Sequence, residues 1–414
     1  MTLSNDAKCA ASDKLSCLLL NRSVTTYFQP IISIRQHTVT GYEALSRGID
    51  AYTGATIMPN ILFPLAAESS RLVALDRLCR EKAFETFNMS AAKHERAILF
   101  LNLETSIIDS GVVGSGHLIN SCLKNGINPA SVAIEINESK VHDLKALETF
   151  IQSHKQYGFL FALDDVGNGH SNLDRILQVK PDIIKIDRCL VSNINQDYYK
   201  QEIFKCLAHL GKKVGSQIVA EGIETEDEAL TALQLGADML QGYYFAKPVP
   251  VTDILPQSLE SKIRLIASLF KTCRLAAIKN QFQKKTQSSS TFLHLLEELS
   301  KTTASRFDGR LYELMAEHPR IQYLYILNMA GVQITDTVGS SNTLNEYAAV
   351  LYQSDQKGTD QSLKDYCLII QAGMDQYISE PYMSMANGRL CVTYSKIFRD
   401  AAGNSYILCA DFDP

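Results

Sequence analysis

The chain has 414 residues, of which 46% are hydrophobic and 21% are charged, and its formal net charge is −5. The composition excludes a largely disordered chain, and the length predicts about two or three domains. A weakly acidic chain lacks the surplus of basic residues that binds polymeric nucleic acid, so we expect no such partner. A small anionic ligand is compatible with this charge where something local, such as a metal ion, offsets it.

The sequence predicts neither a membrane span nor a secretory signal. Its longest apolar run near the N-terminus, Cys17–Leu20, is shorter than the ~7–15 residues of a signal core, and no window approaches ~18 apolar residues. The ten cysteines are dispersed, and none forms a C-x-x-C pair. This distribution is typical of reduced thiols, which predicts a cytoplasmic protein without a thiolate zinc site.

Residues 24–253 alternate short apolar runs with longer amphipathic segments, and 1–23 are expected to form an N-terminal extension. The runs are Tyr27–Ile34, Thr38–Leu45, Ala97–Leu103, Ser131–Ile136, Phe159–Leu163, Ile183–Ile186, Val214–Ala220 and Met239–Phe245. Continuous apolarity indicates strands that are buried on both faces. Three residues separate the first two runs, which predicts an antiparallel hairpin. Most later runs are separated by segments of helical period, which predicts parallel crossovers.

Eight such runs favour an α/β fold, a (β/α)₈ barrel of the TIM type with one antiparallel strand. The helical segments include Leu65–Phe87, Leu144–Gln156 and Tyr199–Leu210, each with apolar residues along one side. The alternative is an open doubly wound sheet. That fold would place a glycine-rich phosphate loop after the first strand, where the sequence has none.

A different pattern follows the predicted barrel. Residues 254–290 are interpreted as an amphipathic connecting helix, with a break in the polar stretch Gln281–Ser290. Residues 291–414 are predicted to form a small α+β domain of the PAS or Cache type. Its elements are a helical stretch, Thr291–Glu317, and two hairpins, Ile321–Leu327 with Val332–Val338 and Leu390–Phe398 with Tyr406–Phe412.

Polar side chains follow or end almost every apolar run in the predicted barrel. They are Glu43, Asn102, Glu135, Glu138, Asp164, Asp165, Lys185, Asp187, Glu221, Glu224 and Gln241. The carboxyl ends of barrel strands meet at one rim, where barrel enzymes build their active sites. So many carboxylates in one dry site cannot all ionise unless cations join them. Hard oxygen ligands favour Mg²⁺ or Mn²⁺ over zinc.

Two such ions could hold a phosphodiester and activate a water for in-line attack, with a lysine beside them to orient that water or stabilise the developing charge. Any one of these residues has a simpler interpretation. A single glutamate at a strand end is commonly a solvated residue, and Asp164-Asp165 before Gly167 could form only a turn. The prediction depends on the whole set.

Glu43-Ala44-Leu45 with Arg47 resembles the signature of EAL-type cyclic di-GMP phosphodiesterases. The resemblance extends over about residues 24–250, where further motifs occur in the family's order. They are Tyr27-Phe28-Gln29-Pro30-Ile31, Phe63-Pro64-Leu65-Ala66, Asn102 within Leu-Asn-Leu, Glu135-Ile136-Asn137-Glu138, Asp164-Asp165, Lys185-Ile186-Asp187-Arg188, Ala220-Glu221-Gly222-Ile223-Glu224-Thr225 and Gln241-Gly242-Tyr243. The resemblance implies hydrolysis of cyclic di-GMP to linear pGpG.

The resemblance also implies a role for each matching residue. One Mg²⁺ or Mn²⁺ ion would be ligated by Glu43, Asn102, Glu135, Asp164 and Glu221. Asp164 would bridge to a second ion, whose other main ligand would be Asp165, and Ca²⁺ would occupy the site without supporting chemistry. Lys185 would contact the nucleophilic water, Gln241 would hold that water or one bound to a metal, and Glu138 would brace the loop after Asp165. The dinucleotide would be contacted by Gln29, Leu45 and Arg47.

The loop after Asp165 departs from the family's usual sequence. Val166, Asn168 and His170 stand where the family has Phe, Thr and Tyr, and Asn137 stands where it has Thr. Both aspartates and both glycines remain, which favours metal binding. Because this loop links metal occupancy to dimer contacts in the family, a second hypothesis stays open. The barrel could be a weakly active or inactive receptor that binds cyclic di-GMP and signals by conformation or partner contact.

Residues 321–338 and 379–413 resemble the PAS/Cache-like sensor domain that accompanies some EAL proteins. Such domains can bind a small ligand in the hollow of their sheet, and Tyr323, Tyr382 and Tyr394 are candidate wall residues. The same tyrosines could instead be core aromatics with no ligand. The resemblance and the long helix after residue 254 predict a homodimer whose barrel is regulated through the C-terminal domain.

Overall fold

The computed structural model describes residues 14–89, 97–110, 114–137, 143–168, 173–253, 257–339, 354–384 and 386–414. The chain divides into two compact units, Met1–Arg274 and Leu275–Pro414. The predicted site residue Glu138 and the loop residue His170 lie outside the described residues.

The first unit is a closed barrel of eight strands. These are β1 (Val24–Ser33), β2 (Thr38–Ile49), β4 (Ile98–Leu103), β5 (Val132–Asn137), β6 (Leu160–Val166), β7 (Ile183–Ile186), β8 (Gln217–Ala220) and β9 (Met239–Leu240), with short β3 (Thr56–Ile57) and β10 (Val249–Pro250) at its margins. β1 is antiparallel to both of its barrel neighbours, β2 and β9, and every other barrel pairing is parallel. The predicted barrel with one antiparallel strand is confirmed, and the open sheet is excluded.

Helices alternate with these strands. They are α1 (residues 14–20), α2 (Pro59–Glu68), α3 (Leu72–Asn88), α4 (His117–Lys124), α5 (Leu144–Lys155), α6 (Leu173–Val179), α7 (Arg188–Val191), α8 (Tyr198–Val214) and α9 (Glu226–Leu235). The prediction of a single helix over Leu65–Phe87 is wrong. The segment forms two helices, because helical backbone is interrupted between α2 and α3, where Ser70 has a φ of 55°. The run predicted to continue to Phe245 leaves its strand after Leu240, since the chain turns at Gly242 against the Ile223 backbone.

The barrel interior is filled by one side chain from each of seven strands. They are Ile31, Phe100, Ala133, Ala162, Ile183, Val219 and Met239. A larger apolar core lies between the strands and the helices. Interior and exterior side chains alternate along each strand because its side-chain period is two. The neighbouring inward-facing position therefore lies one layer nearer the rim, two residues later in each parallel strand and two residues earlier in β1.

The second unit is built on an antiparallel sheet. Its strands are β11 (Ile321–Asn328), β12 (Val338–Gly339), β13 (Gln376–Ile378), β14 (Tyr382–Met383), β15 (Leu390–Arg399) and β16 (Ser405–Phe412), in the order β12-β11-β16-β15-β13 with β14 on β15. Its helices are the later part of α10 (Gln257–Ser300), α11 (Phe307–Glu317) and α12 (Asp365–Gln371). The predicted β15–β16 hairpin is confirmed. In the other hairpin, only Val338–Gly339 forms a second strand against β11.

Of the three predicted cavity tyrosines, Tyr394 does not face a cavity. It is 5% exposed and packs against Phe292 and Phe412 in the core, because β15 alternates and presents Tyr394 to the helical side of the sheet. Tyr323 and Tyr382 do line a cavity.

The predicted break at Gln281–Ser290 is also wrong, since α10 continues through it to Ser300. The stretch is polar but contains neither glycine nor proline, so nothing in it forbids helical backbone. It is also held within the second unit. Lys284 Nζ donates to the Pro414 carbonyl at 2.6 Å, and Arg320 donates to the Gln287 side chain. Tertiary contacts thus compensate for modest helix propensity.

None of the helices in the described part of the chain combines the length and the apolar character that a membrane span requires.

The continuity of α10 can be tested at Ser290, the exposed last residue of the predicted break. Ser290→Pro should destabilise the second unit by about 3 kcal/mol, because proline removes a helical hydrogen bond and clashes with the preceding turn. Ser290→Ala should leave stability unchanged or slightly higher, since alanine is the best helix former. Denaturant unfolding followed by circular dichroism measures both variants. Equal stability of the proline and alanine variants would mean that this stretch is not helical.

Candidate active site

A layer of polar side chains lies at the rim of the barrel, directly above its apolar interior. In each parallel strand the polar residue comes two positions after the interior residue, as Lys185 follows Ile183 in β7. In β1, which runs the other way, Gln29 precedes Ile31 by two positions. The complete layer is Gln29, Glu43, Asn102, Glu135, Asp164, Lys185, Glu221 and Gln241. The barrel therefore gathers eight residues that are far apart in the sequence.

Lys185 is the central cation of this layer, and its side chain is 1% exposed. Its Nζ lies 2.5 Å from a Glu135 oxygen, 2.7 Å from Glu221, 3.0 Å from Asp164 and 3.8 Å from Glu43. Burial alone would lower the pKa of Lys185. The surrounding carboxylates outweigh burial and hold that pKa well above its usual value. Lys185 therefore stays charged.

Glu43 is fixed by amides as well as by Lys185. Asn102 Nδ2 donates to one carboxylate oxygen at 2.8 Å, and Gln241 Nε2 donates to the other at 2.6 Å. Gln241 Nε2 also lies 3.2 Å from Gln29 Oε1, and Gln29 in turn donates to the Ala246 carbonyl at 3.1 Å. Burial raises the pKa of Glu43, but Lys185 and the two amides reverse this and lower it. Glu43 is thus ionised and held in one orientation.

The remaining carboxylates are not fully compensated by one lysine. Burial, together with the nearby charge of Glu43, raises the pKa of Glu135 well above its usual value. Burial raises the pKa of Glu221 to about 8. Burial and the adjacent Asp164 raise the pKa of Asp165 to about 6. Such shifts arise where like charges share a site from which water is excluded.

Asp164 and Asp165 are consecutive, yet both line the same cavities. Neighbouring residues of a regular strand would point to opposite faces. Here the β6–β7 register shifts between Leu163 and Val166, and Asp165 has a φ of 56°. Asparagine and aspartate tolerate this left-handed conformation better than most residues. Asn137 donates a hydrogen bond that holds the Asp165 carboxylate.

The layer has the properties of a divalent-cation site. Glu135 Oε1 and Asp164 Oδ1 pair with Lys185 Nζ at 2.5 and 3.0 Å, whereas no described residue donates a hydrogen bond to the buried Glu135 Oε2. Carboxylate oxygens of Asp164, Asp165 and Glu221 lie within 4.8 Å of one another. A buried cluster with more carboxylate oxygens than protein cations to pair with them is suited to hard cations. These residues therefore fit Mg²⁺ or Mn²⁺ in the chemistry of their donor set.

Two cavities adjoin the carboxylates. The larger, of about 570 Å³, is lined by Leu45, Phe63 and Asn102 among others. The smaller, of about 290 Å³, is lined by Gln29, Lys185, Glu221 and Gln241 with neighbouring residues. Glu43, Asp164 and Asp165 line both cavities. The carboxylates thus lie where a ligand extending across the rim would pass.

Arg47 was predicted to contact the dinucleotide, but it lines neither of these two cavities. It is 9% exposed, its guanidinium lies 5.4 Å from the centre of the Tyr27 ring, and its Nη1 donates to the Ser46 carbonyl at 2.8 Å. It shares a face of β2 with Glu43 and Leu45, because the three residues are spaced by two.

Asp76 and Arg80 are site residues that the sequence analysis missed. They form a buried ion pair on α3, and both line the larger cavity. Asp76 Oδ1 accepts the backbone N–H of Glu104 at 3.1 Å, next to Asn102. The helical interpretation described the apolar side of this segment and gave its charged residues no role. The available signal was spacing, since Asp76 comes four residues after Leu72 and so falls on the apolar stripe.

Known proteins resemble this chain in sequence and in structure. The model of the EAL domain family matches residues 12–248. A probable cyclic di-GMP phosphodiesterase, PdeB of Escherichia coli, is 28% identical over 243 residues, which cover 58% of this chain and 46% of that protein. The chain thus spans about half the length of such relatives.

Other relatives have solved structures. YkuI of Bacillus subtilis, an EAL-domain protein, is 24% identical over 398 residues, covering 92% of this chain and 93% of that protein. Its crystal structure with cyclic di-GMP and calcium aligns with a TM-score of 0.77 at 22% identity, covering 97% of this chain and 99% of that one. BlrP1 of Klebsiella pneumoniae, with manganese and cyclic di-GMP, aligns with a TM-score of 0.50 at 27% identity, covering 55% and 56%.

The family model covers residues 12–248, which is more than half of the chain, and all eight residues of the polar layer lie within that range. The chain belongs to the EAL domain family.

Proposed function

We propose that this protein hydrolyses cyclic di-GMP to linear pGpG with the help of two divalent metal ions. The observation that carries this proposal is the buried polar layer, in which four carboxylates surround Lys185 within 4 Å beside two adjoining cavities. Relatives in the EAL family are named cyclic di-GMP phosphodiesterases, and related structures contain cyclic di-GMP with calcium or manganese.

The residues that we propose as metal ligands all carry a side-chain oxygen that can coordinate a cation. One ion would be held by Glu43, Asn102, Glu135, Asp164 and Glu221, and a second by Asp164 and Asp165. The bound ions would supply Lewis-acid stabilisation of the phosphate and would lower the pKa of a water nucleophile. We expect Mg²⁺ or Mn²⁺ to support turnover and Ca²⁺ to support binding alone.

The chain's own residues position the reactants. The Lys185 ammonium holds the attacking water and stabilises the negative charge that develops on the phosphate. Gln241, oriented by its bond to Glu43, accepts or donates a second hydrogen bond to water at the same point. Formation of pGpG leaves the phosphate on a 5′ oxygen, so the bond to the 3′ oxygen is the one that breaks, and that oxygen takes up a proton.

The two cavities fit a ligand with two halves. Leu45 lines the larger cavity and Gln29 lines the smaller one, on either side of the shared carboxylates. We propose that they contact the two nucleotide halves, and that Arg47 joins them by leaving its place over Tyr27. Glu138, outside the described residues, is proposed to brace the loop after Asp165.

The role of Lys185 predicts a separation of binding from turnover. Lys185→Ala should lower the rate of pGpG formation in Mn²⁺ by about 100-fold or more, because a buried stabilising charge is lost. Binding of cyclic di-GMP in Ca²⁺ should change only a few-fold. Lys205→Ala, at an exposed lysine of the same unit, is the matched control. Chromatography of the products measures turnover, and calorimetry measures binding.

Two results would contradict this proposal. One is a Lys185→Ala protein that turns over at the wild-type rate. The other is a wild-type protein that binds cyclic di-GMP tightly in Mg²⁺ and Mn²⁺ without forming pGpG, which would establish the receptor hypothesis instead.

The metal ligands predict a stability effect that does not depend on substrate. Mn²⁺ should raise the unfolding temperature of the wild-type chain, because an ion that binds only the folded state stabilises it by about 2.7 kcal/mol at 100 times its Kd. Glu135→Gln should lose most of this shift, since a neutral amide is a weak ligand for a hard cation. Glu202→Gln, at an exposed glutamate, should keep it. An undiminished shift in Glu135→Gln would exclude Glu135 as a ligand.

We further propose that residues 291–414 form a PAS/Cache-like sensor domain that regulates the barrel (24–253) through the helix over 254–290. A separate apolar core in the second unit supports an independent domain.

We propose a cytoplasmic location as well, and the unpaired cysteines of the described residues support it.

We also propose that the protein is a homodimer. Light scattering at micromolar concentration should give about twice the mass of one chain, 46.0 kDa. A mass of one chain at that concentration would contradict a stable dimer.

A further inference from the structure

The second unit contains a cavity of about 360 Å³ with an aromatic wall. Five tyrosines line it, and one buried acid lies among them. They are Tyr323, Tyr325, Tyr366, Tyr377, Tyr382 and Asp411. A cavity of this size matches the low end of small-molecule sites. Its wall comes from β11, β13, β14, β16 and α12 within the one unit, so the site does not depend on the barrel.

Asp411 is a buried carboxylate with no counter-ion among the described residues. It is 4% exposed, and burial raises its pKa to about 6. Thr393 Oγ1 donates to its Oδ1 at 2.6 Å, and Tyr382 OH, also 2.6 Å from Thr393 Oγ1, donates to that hydroxyl in turn. No described residue donates to the other carboxylate oxygen, and no lysine, arginine or histidine of the described chain lies within 4.0 Å. A buried charge without a partner costs several kcal/mol.

The rest of the cavity favours positive charge as well. Its lining includes three more acids, Asp355, Asp365 and Glu380, against a single lysine, Lys364. The faces of tyrosine rings are negative, and they attract cations within about 6 Å of the ring centre. Such a lining would repel phosphates and carboxylates. A bare metal ion would find only one buried carboxylate in a space much larger than itself.

We propose that this cavity binds a small organic cation, whose ammonium group pairs with Asp411 while its carbon atoms lie against the tyrosines. The inference rests on the sensor role proposed above for residues 291–414, and it names the chemical class of the ligand. The aromatic wall removes water from around the ligand, which strengthens both the ion pair and the contacts with the rings.

The test uses the full chain and three probe cations, choline, putrescine and agmatine. Calorimetry and thermal unfolding should show binding of at least one at concentrations up to about 10 mM. For choline, the control ligand is its neutral carbon isostere, in which a tert-butyl group replaces the trimethylammonium group. We expect the isostere to bind at least about 10-fold more weakly than choline if choline binds, because it keeps the shape and loses the charge.

Asp411→Asn tests the acid directly. It keeps the size of the side chain and the bond from Thr393, and it should weaken binding of the cation by about 10-fold or more. Asp375→Asn makes the same charge change at a carboxylate that is 83% exposed and does not line the cavity, and it should bind as the wild type does. If Asp411→Asn fails to fold, comparison of choline with its neutral isostere on the wild-type chain replaces this test.

Failure of all three probe cations to bind, or equal binding of choline and its neutral isostere, would overturn this inference. Hydrolysis of cyclic di-GMP measured in the same preparation separates the two proposals. Normal hydrolysis without cation binding contradicts the cavity assignment alone. Cation binding without hydrolysis contradicts the catalytic proposal alone.

Discussion

The ion cluster around Lys185 is the interaction on which the rest of the barrel depends. One ammonium group, almost fully buried, neutralises part of the charge of Glu43, Glu135, Asp164 and Glu221. Burial raises the pKa values of Glu135 and Glu221, and the neighbouring carboxylates add to this rise because one positive charge cannot compensate four negative ones. The barrel therefore holds an excess of ligand charge at its rim. That excess of negative charge is compatible with divalent cations.

The same cluster explains why the neighbouring backbone is irregular. Asp164 and Asp165 can both serve one rim only if the strand departs from its period of two. The register shift in β6 and the left-handed Asp165 make this departure, and Asn137 holds the second carboxylate. Backbone in a sparsely populated conformation at such a point is a common feature of functional sites.

Both units contain buried carboxylates, but only those of the barrel have a described cation beside them. In the barrel the protein supplies its own cation, Lys185, beside the carboxylates. In the second unit Asp411 has hydroxyl neighbours and tyrosine rings, and no described cation beside it. Burial disfavours the charged form of a carboxylate in either setting, and only a partner of opposite charge restores it. The contrast suggests that the second unit obtains this partner from outside the chain.

The sequence by itself determined the barrel and most of its site. Eight apolar runs set the strands, and the residues ending them, such as Glu135 and Lys185, had to meet because parallel strands end at one rim. Only the tertiary structure decided which contacts they make. Polarity alone predicted a break in α10, but the helix continues there and is held by contacts within the second unit. Polarity also missed Asp76, because its burial depends on contacts with residues distant in sequence, such as Glu104. The pattern of apolar and polar residues indicates which secondary structure each segment prefers. Burial, strand register and charge compensation depend on contacts between segments, so the tertiary structure decides them.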